Sequence, residues 1–150
     1  YEGQAAIELE ALAQESTVSD QFLFDNTYPI VMSTAQTIDP YCILLAAYRD
    51  FQAGTSASLV AAKFHATIAQ TVLNVCQKIR QDKDIGKVCL SGGVFQNVVL
   101  LRMVKALLER ANFQVYSQKQ LPANDGGLSL GQATIALAMT DSIKFIEECC

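Results

Sequence analysis

Hydrophobic residues along the chain follow two periodicities, which together predict alternating helices and strands. Repeats at three- and four-residue spacing indicate amphipathic helices. They occur in Glu2–Gln14, in Pro40–Gln52, in a segment that ends near Gln81, in Phe95–Ala111 and in Leu128–Ala138. Short apolar runs between turn residues are typical of strands. They predict a short buried strand at Lys87–Leu90, a second strand at Phe113–Tyr116, and a β-hairpin or two irregular strands at Phe22–Met32.

Polar residues and prolines mark where these helices begin. Asp39 precedes Pro40, and proline is favoured in the first turn of a helix. Ser56 or Ser58 is placed to cap the helix that ends near Gln81. Two of the predicted helices therefore have a local start signal that agrees with their hydrophobic pattern.

The second half of the chain has the order strand, turn, helix, strand, loop, helix. Ser91-Gly92-Gly93 is the turn, and Leu121–Gly127 is a polar loop that contains Pro122. This alternation predicts an α/β fold with parallel strands and helices packed on a mixed sheet. We expect one domain over residues 1–150, with residues 139–150 as a C-terminal tail of uncertain role.

Composition limits the kind of protein. Of the 150 residues, 51% are hydrophobic and 17% are charged, which indicates an ordered globular segment. The formal charge of −4 provides no basic surface for nucleic acid. No apolar run approaches the roughly 18 residues of a membrane span. The first residues contain no initiator Met and no signal-peptide pattern, so we expect a fragment of a longer protein.

Five cysteines are present: Cys42, Cys76, Cys89, Cys149 and Cys150. Three lie in apolar periodic segments, and no pair has C-x-x-C spacing, so they are expected to act as small buried hydrophobic residues. Adjacent residues such as Cys149 and Cys150 have poor geometry for a disulfide or a shared metal. These features favour the reducing environment of the cytoplasm.

The first candidate site is the glycine corner, Ser91-Gly92-Gly93-Val94, between the strand Lys87–Leu90 and the following helix. Glycine lets the backbone approach a ligand closely, and free N–H groups at a helix start favour phosphate. Asn97, in the expected first helical turn, adds an amide that can hold a hydroxyl or phosphate oxygen. The corner matches neither the Rossmann fingerprint nor the P-loop pattern. A purely steric role for the glycines is an equal alternative.

The second candidate site is the acidic corner, Asn124-Asp125-Gly126-Gly127, before the last helix. Asp125 offers a carboxylate at the end of a sheet where α/β folds bind ligands, and it could coordinate a divalent metal that faces phosphates. Asp is also an ordinary helix cap, and the sequence by itself favours that role.

Other polar residues are expected to be structural. His65 is the only histidine of the chain and shares a helical face with Ala61, Ala69 and Val72, so a packed or surface position is more plausible than a metal site. Lys78, Arg80 and Lys83 fit a solvated helix end better than a binding patch.

The two corners carry a resemblance to a known family. Leu90-Ser91-Gly92-Gly93-Val94-Phe95-Gln96-Asn97, followed by Leu121-Pro122-Ala123-Asn124-Asp125-Gly126-Gly127-Leu128-Ser129-Leu130-Gly131-Gln132, resembles the closing signature of the HypF carbamoyltransferases. The opening Tyr1-Glu2-Gly3-Gln4-Ala5-Ala6 and the internal Phe64-His65 are also similar to that family. The resemblance extends from Tyr1 to about Ala138, and Phe95-Gln96 discriminates it best from related transferases.

The resemblance implies a fold and a reaction. The region corresponds to the second half of a Kae1-like domain, a ribonuclease-H-like half of the actin/Hsp70/sugar-kinase superfamily. In HypF, carbamoyl phosphate and ATP give carbamoyl-adenylate at a separate YrdC-like domain. The Kae1-like domain then passes the carbamoyl group to the C-terminal cysteine of a partner, HypE, in [NiFe]-hydrogenase maturation. The missing N-terminal domains of the same chain are further expected partners.

The same resemblance implies roles for five residues. Gly92 and Gly93 are similar to glycines that accept the nucleotide phosphate, with Asn97 beside them, and Gly3 is similar to a glycine near the nucleoside. Asp125 resembles the aspartate of a divalent-metal site for Fe, Zn or Mg. Two histidines from an H-x-x-x-H helix in the other half of the domain normally complete that site. They are absent here, so the fragment alone is expected to be inactive.

Three alternatives remain open at the level of sequence. A tRNA threonylcarbamoyl transferase would share the fold and both corners, although the acidic charge disfavours it. A small-molecule O-carbamoyltransferase is the second alternative. The third is a non-catalytic actin-like domain that binds a nucleotide only to assemble partners.

Overall fold

The computed structural model describes residues 3–32 and 37–148, with side chains up to residue 140. The pair Cys149-Cys150 and the residues Tyr1-Glu2 lie outside these ranges. The elements in chain order are α1 (Gln4–Gln14), α2 (Asp20–Asp25), β1 (Val31–Met32), β2 (Ile38–Asp39), α3 (Pro40–Gln52), α4 (Ala57–Lys83), β3 (Lys87–Leu90), α5 (Val98–Arg110), β4 (Gln114–Ser117) and α6 (Leu128–Glu148). Two 3-10 turns, Gly93–Gln96 and Asp125–Gly127, precede α5 and α6 respectively.

The described residues divide into two compact units. The first contains the chain up to Val88 together with Asn97–Tyr116, and the second contains Cys89–Gln96 with the residues from Ser117 onward. Strands form two pairs. β1 and β2 are antiparallel, with Val31 opposite Asp39, and β3 is the neighbour of β4 in the second pair. Helices combined with small sheets confirm the α/β class.

Helix α4 is the centre of the first unit and contacts α1, α2, α3 and α5. Its buried face is rich in alanine, which allows neighbouring helices to approach closely: Ala61, Ala62, Ala66 and Ala69 are at most 1% exposed. Larger apolar side chains from the other helices complete the core, among them Leu23, Met103 and Leu108. Burial of each of these larger side chains contributes about 1.5–3 kcal/mol to folding.

Helix α4 also has the length and composition that a membrane-spanning helix requires, which the sequence pattern did not indicate. Its centre, however, is packed within the first unit. Buried Thr67 and Thr71 donate hydrogen bonds of 2.7 and 2.8 Å to the carbonyl oxygens of Lys63 and Thr67. The core helix of a globular unit can have the same length and apolar composition. The composition of α4 is therefore weak support for a membrane span.

The predicted start signals of α3 and α4 are confirmed. The Asp39 side chain accepts a hydrogen bond from the N–H of Tyr41, and Pro40 is the first residue of α3. Of the two serines that could cap α4, Ser56 does so by accepting from the N–H of Leu59.

The prediction of strands across Phe22–Met32 is wrong for its first part. Asp20–Asp25 forms α2, because Ser19 accepts a hydrogen bond from the N–H of Phe22 and caps a helical turn. The antiparallel pair lies further along the chain, at Val31–Met32 and Ile38–Asp39.

Three further expectations need correction. Helix α5 begins at Val98 and not at Phe95, because a 3-10 turn occupies Gly93–Gln96. Helix α6 continues past Ala138 to Glu148, since no glycine or proline interrupts it there. The strand β3 is buried only at Leu90, because side chains alternate between the two faces of a sheet.

The described cysteines are less buried than expected. Cys42 and Cys76 are half-buried and Cys89 is exposed, and all three are free thiols. Burial raises the pKa of the Cys76 thiol, so it stays protonated and unreactive near neutral pH.

Candidate functional site

The glycine corner follows the buried end of β3 in the second unit. Gly92 has φ of 104°, in the left-handed region that side-chain-bearing residues rarely adopt. Its N–H donates a hydrogen bond of 2.7 Å to the carbonyl oxygen of Ala123, and its own carbonyl accepts one of 3.1 Å from the N–H of Phe95. The backbone conformation of Gly92 therefore has a structural requirement, and its N–H is already used within the chain.

The acidic corner is organised by Asn124. The Asn124 side-chain oxygen accepts a hydrogen bond of 3.1 Å from the N–H of Gly126. The backbone carbonyl oxygen of Asn124 accepts one of 3.1 Å from the N–H of Gly127. The cap that the sequence suggested for Asp125 is thus provided by its neighbour. Asp125 is exposed, and no residue in the described part of the chain donates a hydrogen bond to its carboxylate.

The two corners lie against each other. The hydrogen bond from Gly92 to Ala123 joins their backbones, and a Cβ placed on Gly93 would lie 3.9 Å from the Cβ of Asn124. Gln118 extends the contact by donating a hydrogen bond of 3.4 Å to the Ser91 hydroxyl. A cavity of about 330 Å³ opens beside this junction, and its lining includes Ser91, Gly92, Gln118, Asn124, Asp125 and Gln132.

The size and chemistry of this cavity suit a small polar ligand. Its volume is at the lower end of the range for small-molecule sites, enough for part of a nucleotide. Hydroxyl and amide groups line it together with the apolar side chains of Leu128 and Ile135, and Asp125 is the one charged residue among the described residues of the wall. An anionic group bound here would face a carboxylate. A cation would therefore stabilise the binding of phosphate, since opposite charges attract most strongly where water is excluded.

The described residues do not form a complete metal site. Residues 3–32 and 37–140 contain no group of three His, Cys, Asp or Glu side chains arranged to hold a metal ion. The exposed carboxylate of Asp125 fits the part of one oxygen ligand, and structural or catalytic metal sites use several. Any metal at Asp125 would need ligands from elsewhere.

Asn97 has a structural role that the sequence did not indicate. It precedes α5 as its N-cap, and its side-chain oxygen accepts a hydrogen bond of 2.8 Å from the N–H of Leu100. The N–H of Val98 is also taken, because Glu10 accepts it at 2.7 Å. The expectation that free N–H groups at this helix start favour phosphate is therefore wrong for Val98 and Leu100.

His65 is packed, as the sequence suggested. It is 4% exposed, its Nδ1 lies 2.8 Å from the carbonyl oxygen of Ala61, and its Nε2 lies 2.9 Å from the Asn97 side-chain nitrogen. Both ring nitrogens have partners within the chain, so His65 is not available as a metal ligand.

Gly3 and Arg80 complete the set of residues that the sequence singled out. Gly3 precedes α1 with φ of 77°, and a Cβ there would meet no atom within 4 Å, so its requirement is conformational. Arg80 lies over the Phe113 ring at 3.9 Å and donates to the carbonyl oxygen of Ala111, which makes it a packing residue more than part of a solvated helix end.

The sequence did not indicate the contacts that three residues make in these arrangements. Gln118 lies in a polar stretch without a motif, and Glu10 reaches Val98 across 88 positions, so neither has a local signal. The cap formed by Asn124 could have been predicted, because Asn is among the preferred residues at the position before a helical turn.

The family comparison covers most of the chain. Residues 1–132 match the family described as carbamoyltransferase, Kae1-like domain, second subdomain. The carbamoyltransferase HypF of Rhodobacter capsulatus is 33% identical over 142 residues, which cover 95% of this chain and 17% of that protein. The carbamoyltransferase HypF of Synechocystis sp. is 31% identical over 135 residues, which cover 88% of this chain and 16% of that protein.

Solved structures agree with this match. A crystal structure of full-length HypF in the phosphate- and nucleotide-bound form is 41% identical, with a TM-score of 0.80 over 91% of this chain and 21% of that one. HypF of T. kodakarensis, at 22% identity and a TM-score of 0.78, shares the fold over 95% of this chain and 18% of that one. The chain therefore spans about a fifth or less of these relatives, and it belongs to the HypF carbamoyltransferase family, in which it corresponds to the second subdomain of the Kae1-like domain.

Proposed function

We propose that this chain forms part of a carbamoyltransferase and that the cavity between its two corners receives the phosphate-bearing part of carbamoyl-adenylate. The carbamoyl donor is made from carbamoyl phosphate and ATP by other domains of the whole protein. The acceptor is the C-terminal cysteine of a HypE-type partner, for maturation of a hydrogenase in the cytoplasm. The similarity to a HypF whose structure contains phosphate and nucleotide supports this proposal.

One observation carries the proposal for these residues. Gly92 and Asp125, from two separate strand-to-helix connections, line the same cavity. A steric role for the glycines alone would not require an exposed carboxylate beside them. The shared lining supports a ligand that has both a backbone-contacting part and a part that interacts with a carboxylate or its counter-ion.

The reaction does not require a nucleophile from this chain, because the attacking thiolate belongs to the partner. The partner thiolate attacks the carbamoyl carbon, a carbon–sulfur bond forms, and the bond to the phosphate oxygen breaks so that AMP leaves. The residues of the cavity hold the leaving group in place and reduce access of water, which favours transfer over hydrolysis. Hydroxyl and amide donors such as Ser91 and Gln132 can orient the ligand through hydrogen bonds.

Asp125 has the most direct proposed role. Its carboxylate is exposed at the cavity and offers one oxygen ligand for a divalent ion whose other ligands come from outside the described residues. Such an ion, when bound, would neutralise phosphate charge. The role of this chain is to hold the Asp125 carboxylate at the cavity wall through the turn that Asn124 caps.

Asp125→Ala and Asp125→Asn in the full-length protein test the proposal. Both variants should lower carbamoyl transfer to the partner by about a hundredfold or more, because they remove a charged ligand next to the reacting phosphate. Thermal unfolding should change little, since the Asp125 carboxylate has no described hydrogen-bond donor.

Asp25→Asn is a suitable control, because Asp25 is an exposed carboxylate at the end of α2 whose described bonds are to Gln21. Full transfer by both Asp125 variants would remove this residue from the mechanism. Retained nucleotide binding together with absent transfer in the wild-type protein would instead support a non-catalytic nucleotide-binding domain.

A further inference from the structure

The acidic corner contains a close contact in addition to its hydrogen bonds. A Cβ placed on Gly126 would lie 3.0 Å from Cγ of Pro122 and 3.2 Å from the side-chain oxygen of Asn124. Contacts this short are tighter than nine in ten of those that Cβ atoms make in proteins. A proline ring is rigid and cannot rotate away as a long side chain can. Glycine therefore fits at position 126, and alanine would fit only if the ring or the Asn124 amide moved.

The need for glycine at position 126 comes from this contact and not from the backbone. Gly126 has no positive φ, unlike Gly92, so an alanine could adopt its backbone conformation. Gly127 is confined in the same way, because a Cβ there would lie 3.1 Å from the backbone carbonyl oxygen of Pro122. Pro122 therefore packs against two consecutive residues of the 3-10 turn Asp125–Gly127.

Asp125 is held between two fixed points. On its N-terminal side, the carbonyl oxygen of Ala123 accepts the hydrogen bond of 2.7 Å from the N–H of Gly92. On its C-terminal side, Gly126 lies against the Pro122 ring. The Asp125 carboxylate is exposed at the cavity wall. Its position therefore depends on the backbone of the turn and not on packing around the carboxylate.

We propose that Pro122 and Gly126 are positioning residues for the Asp125 carboxylate. The contact between the proline ring and the bare glycine backbone fixes the turn, and the turn presents the carboxylate to the cavity. Metal ligands depend on such supporting residues for their orientation, and loss of one typically lowers metal affinity about ten- to a hundredfold. This inference rests on the proposed function, in which Asp125 supplies one oxygen ligand to a divalent ion.

Gly126→Ala tests the positioning role through Mn²⁺, an ion that prefers oxygen ligands. Calorimetric titration of the full-length protein with Mn²⁺ should show binding that is about tenfold weaker in this variant, because the new methyl group displaces the Asn124 amide or the Pro122 ring. Gly86→Ala is the matched control, since a Cβ at Gly86 meets no atom within 4 Å. The affinity of this control should stay within about twofold of the wild-type value.

Pro122→Ala provides a second test that introduces no clash. Loss of the ring loosens the turn, so Mn²⁺ binding should weaken about threefold or more. The double variant Pro122→Ala/Gly126→Ala lacks the Cγ atom that makes the closest contact. It should therefore bind Mn²⁺ more tightly than Gly126→Ala, although it carries one substitution more. A purely structural role would change the unfolding temperature and leave the Mn²⁺ affinity of the folded protein unaltered.

Asp125→Ala distinguishes failure of this inference from failure of the proposed function. Unchanged Mn²⁺ affinity in folded Gly126→Ala or Pro122→Ala, together with lost affinity in Asp125→Ala, would overturn the positioning role alone. Equal Mn²⁺ binding by the wild type and Asp125→Ala would overturn the proposed role of Asp125 itself. Where Gly126→Ala does not fold, the single variant Pro122→Ala decides between these outcomes.

Discussion

Glu10 on α1 accepts a hydrogen bond of 2.7 Å from the backbone N–H of Val98, the first residue of α5. A carboxylate at a helix N-terminus is stabilising, because it satisfies an unpaired donor and interacts favourably with the helix dipole. The chain therefore occupies with its own acidic residue a position that could have attracted an external anion. In the first unit, the start of α5 is a structural junction between two helices.

The first prediction concerns this junction. Glu10→Ala should lower the free energy of unfolding by about 1 kcal/mol, because it removes both the hydrogen bond and the favourable charge. Glu8→Ala is the matched control, since Glu8 is exposed on the same helix and is bonded by Gln4 one turn earlier. Denaturant unfolding measured by circular dichroism gives the free energy of unfolding of both variants. Equal losses of stability in Glu10→Ala and Glu8→Ala would contradict the prediction.

The second prediction separates the two glycines of the first corner. Gly92→Ala should destabilise the protein by about 1–2 kcal/mol, because φ of 104° places a Cβ against its own backbone. Gly93 has no such conformation, and a Cβ there meets Asn124 at an ordinary 3.9 Å. The free energy of unfolding of Gly93→Ala should therefore lie within about 0.5 kcal/mol of the wild-type value. A larger loss of stability in Gly93→Ala than in Gly92→Ala would contradict the conclusion that only Gly92 is required by its backbone conformation.

A third prediction concerns pH and a cluster that holds residue 28 to the core. Buried Tyr28 donates a hydrogen bond of 3.1 Å to Asp50, which also pairs with Lys63. The hydrogen bond from Lys63 is the main cause that lowers the pKa of Asp50 below its ordinary 3.8. Burial, followed by the Asp50 charge and hydrogen bond, raises the pKa of Tyr28, so its hydroxyl remains a donor at neutral pH.

A lowered carboxyl pKa adds stability that is fully present above the unfolded value of 3.8 and is lost as the pH falls through the lower folded value. The wild type should therefore exceed Asp50→Asn in unfolding temperature at about pH 7, and the gap should shrink towards about pH 3. In Lys63→Met, the part of the pH dependence that comes from Asp50 should weaken, because the hydrogen bond that lowers the Asp50 pKa most is removed. A gap that is constant across this range would contradict the assignment.

The sequence was sufficient for much of the fold because the responsible signals are local. Asp39 before Pro40 and Ser56 before α4 each act on the next few residues, and both caps occur where they were predicted. Phe22–Met32 was misread because short apolar clusters do not distinguish a strand from one helical turn, and Ser19 decides in favour of the turn.

The candidate site was predictable only in part. The sequence identified both corners, and the structure places Gly92 and Asp125 on one cavity. The sequence did not reveal that the N–H groups of Gly92, Val98 and Leu100 have partners inside the chain, because those partners depend on the folded structure. The roles of Gly3, Gly92, Gly93, Asn97 and Asp125 in ligand binding remain predictions.

Calorimetric titration of the full-length protein with a non-hydrolysable analogue of carbamoyl-adenylate tests most directly whether the two corners bind one phosphate-bearing ligand. Gly93→Val should weaken binding about tenfold or more, because its methyl groups would extend towards Asn124, a residue of the cavity wall. Gly86→Val is the control, since a Cβ at Gly86 meets no atom within 4 Å, and its affinity should stay within about twofold of the wild type. Unchanged affinity in folded Gly93→Val would contradict the account and leave the glycines a steric role only.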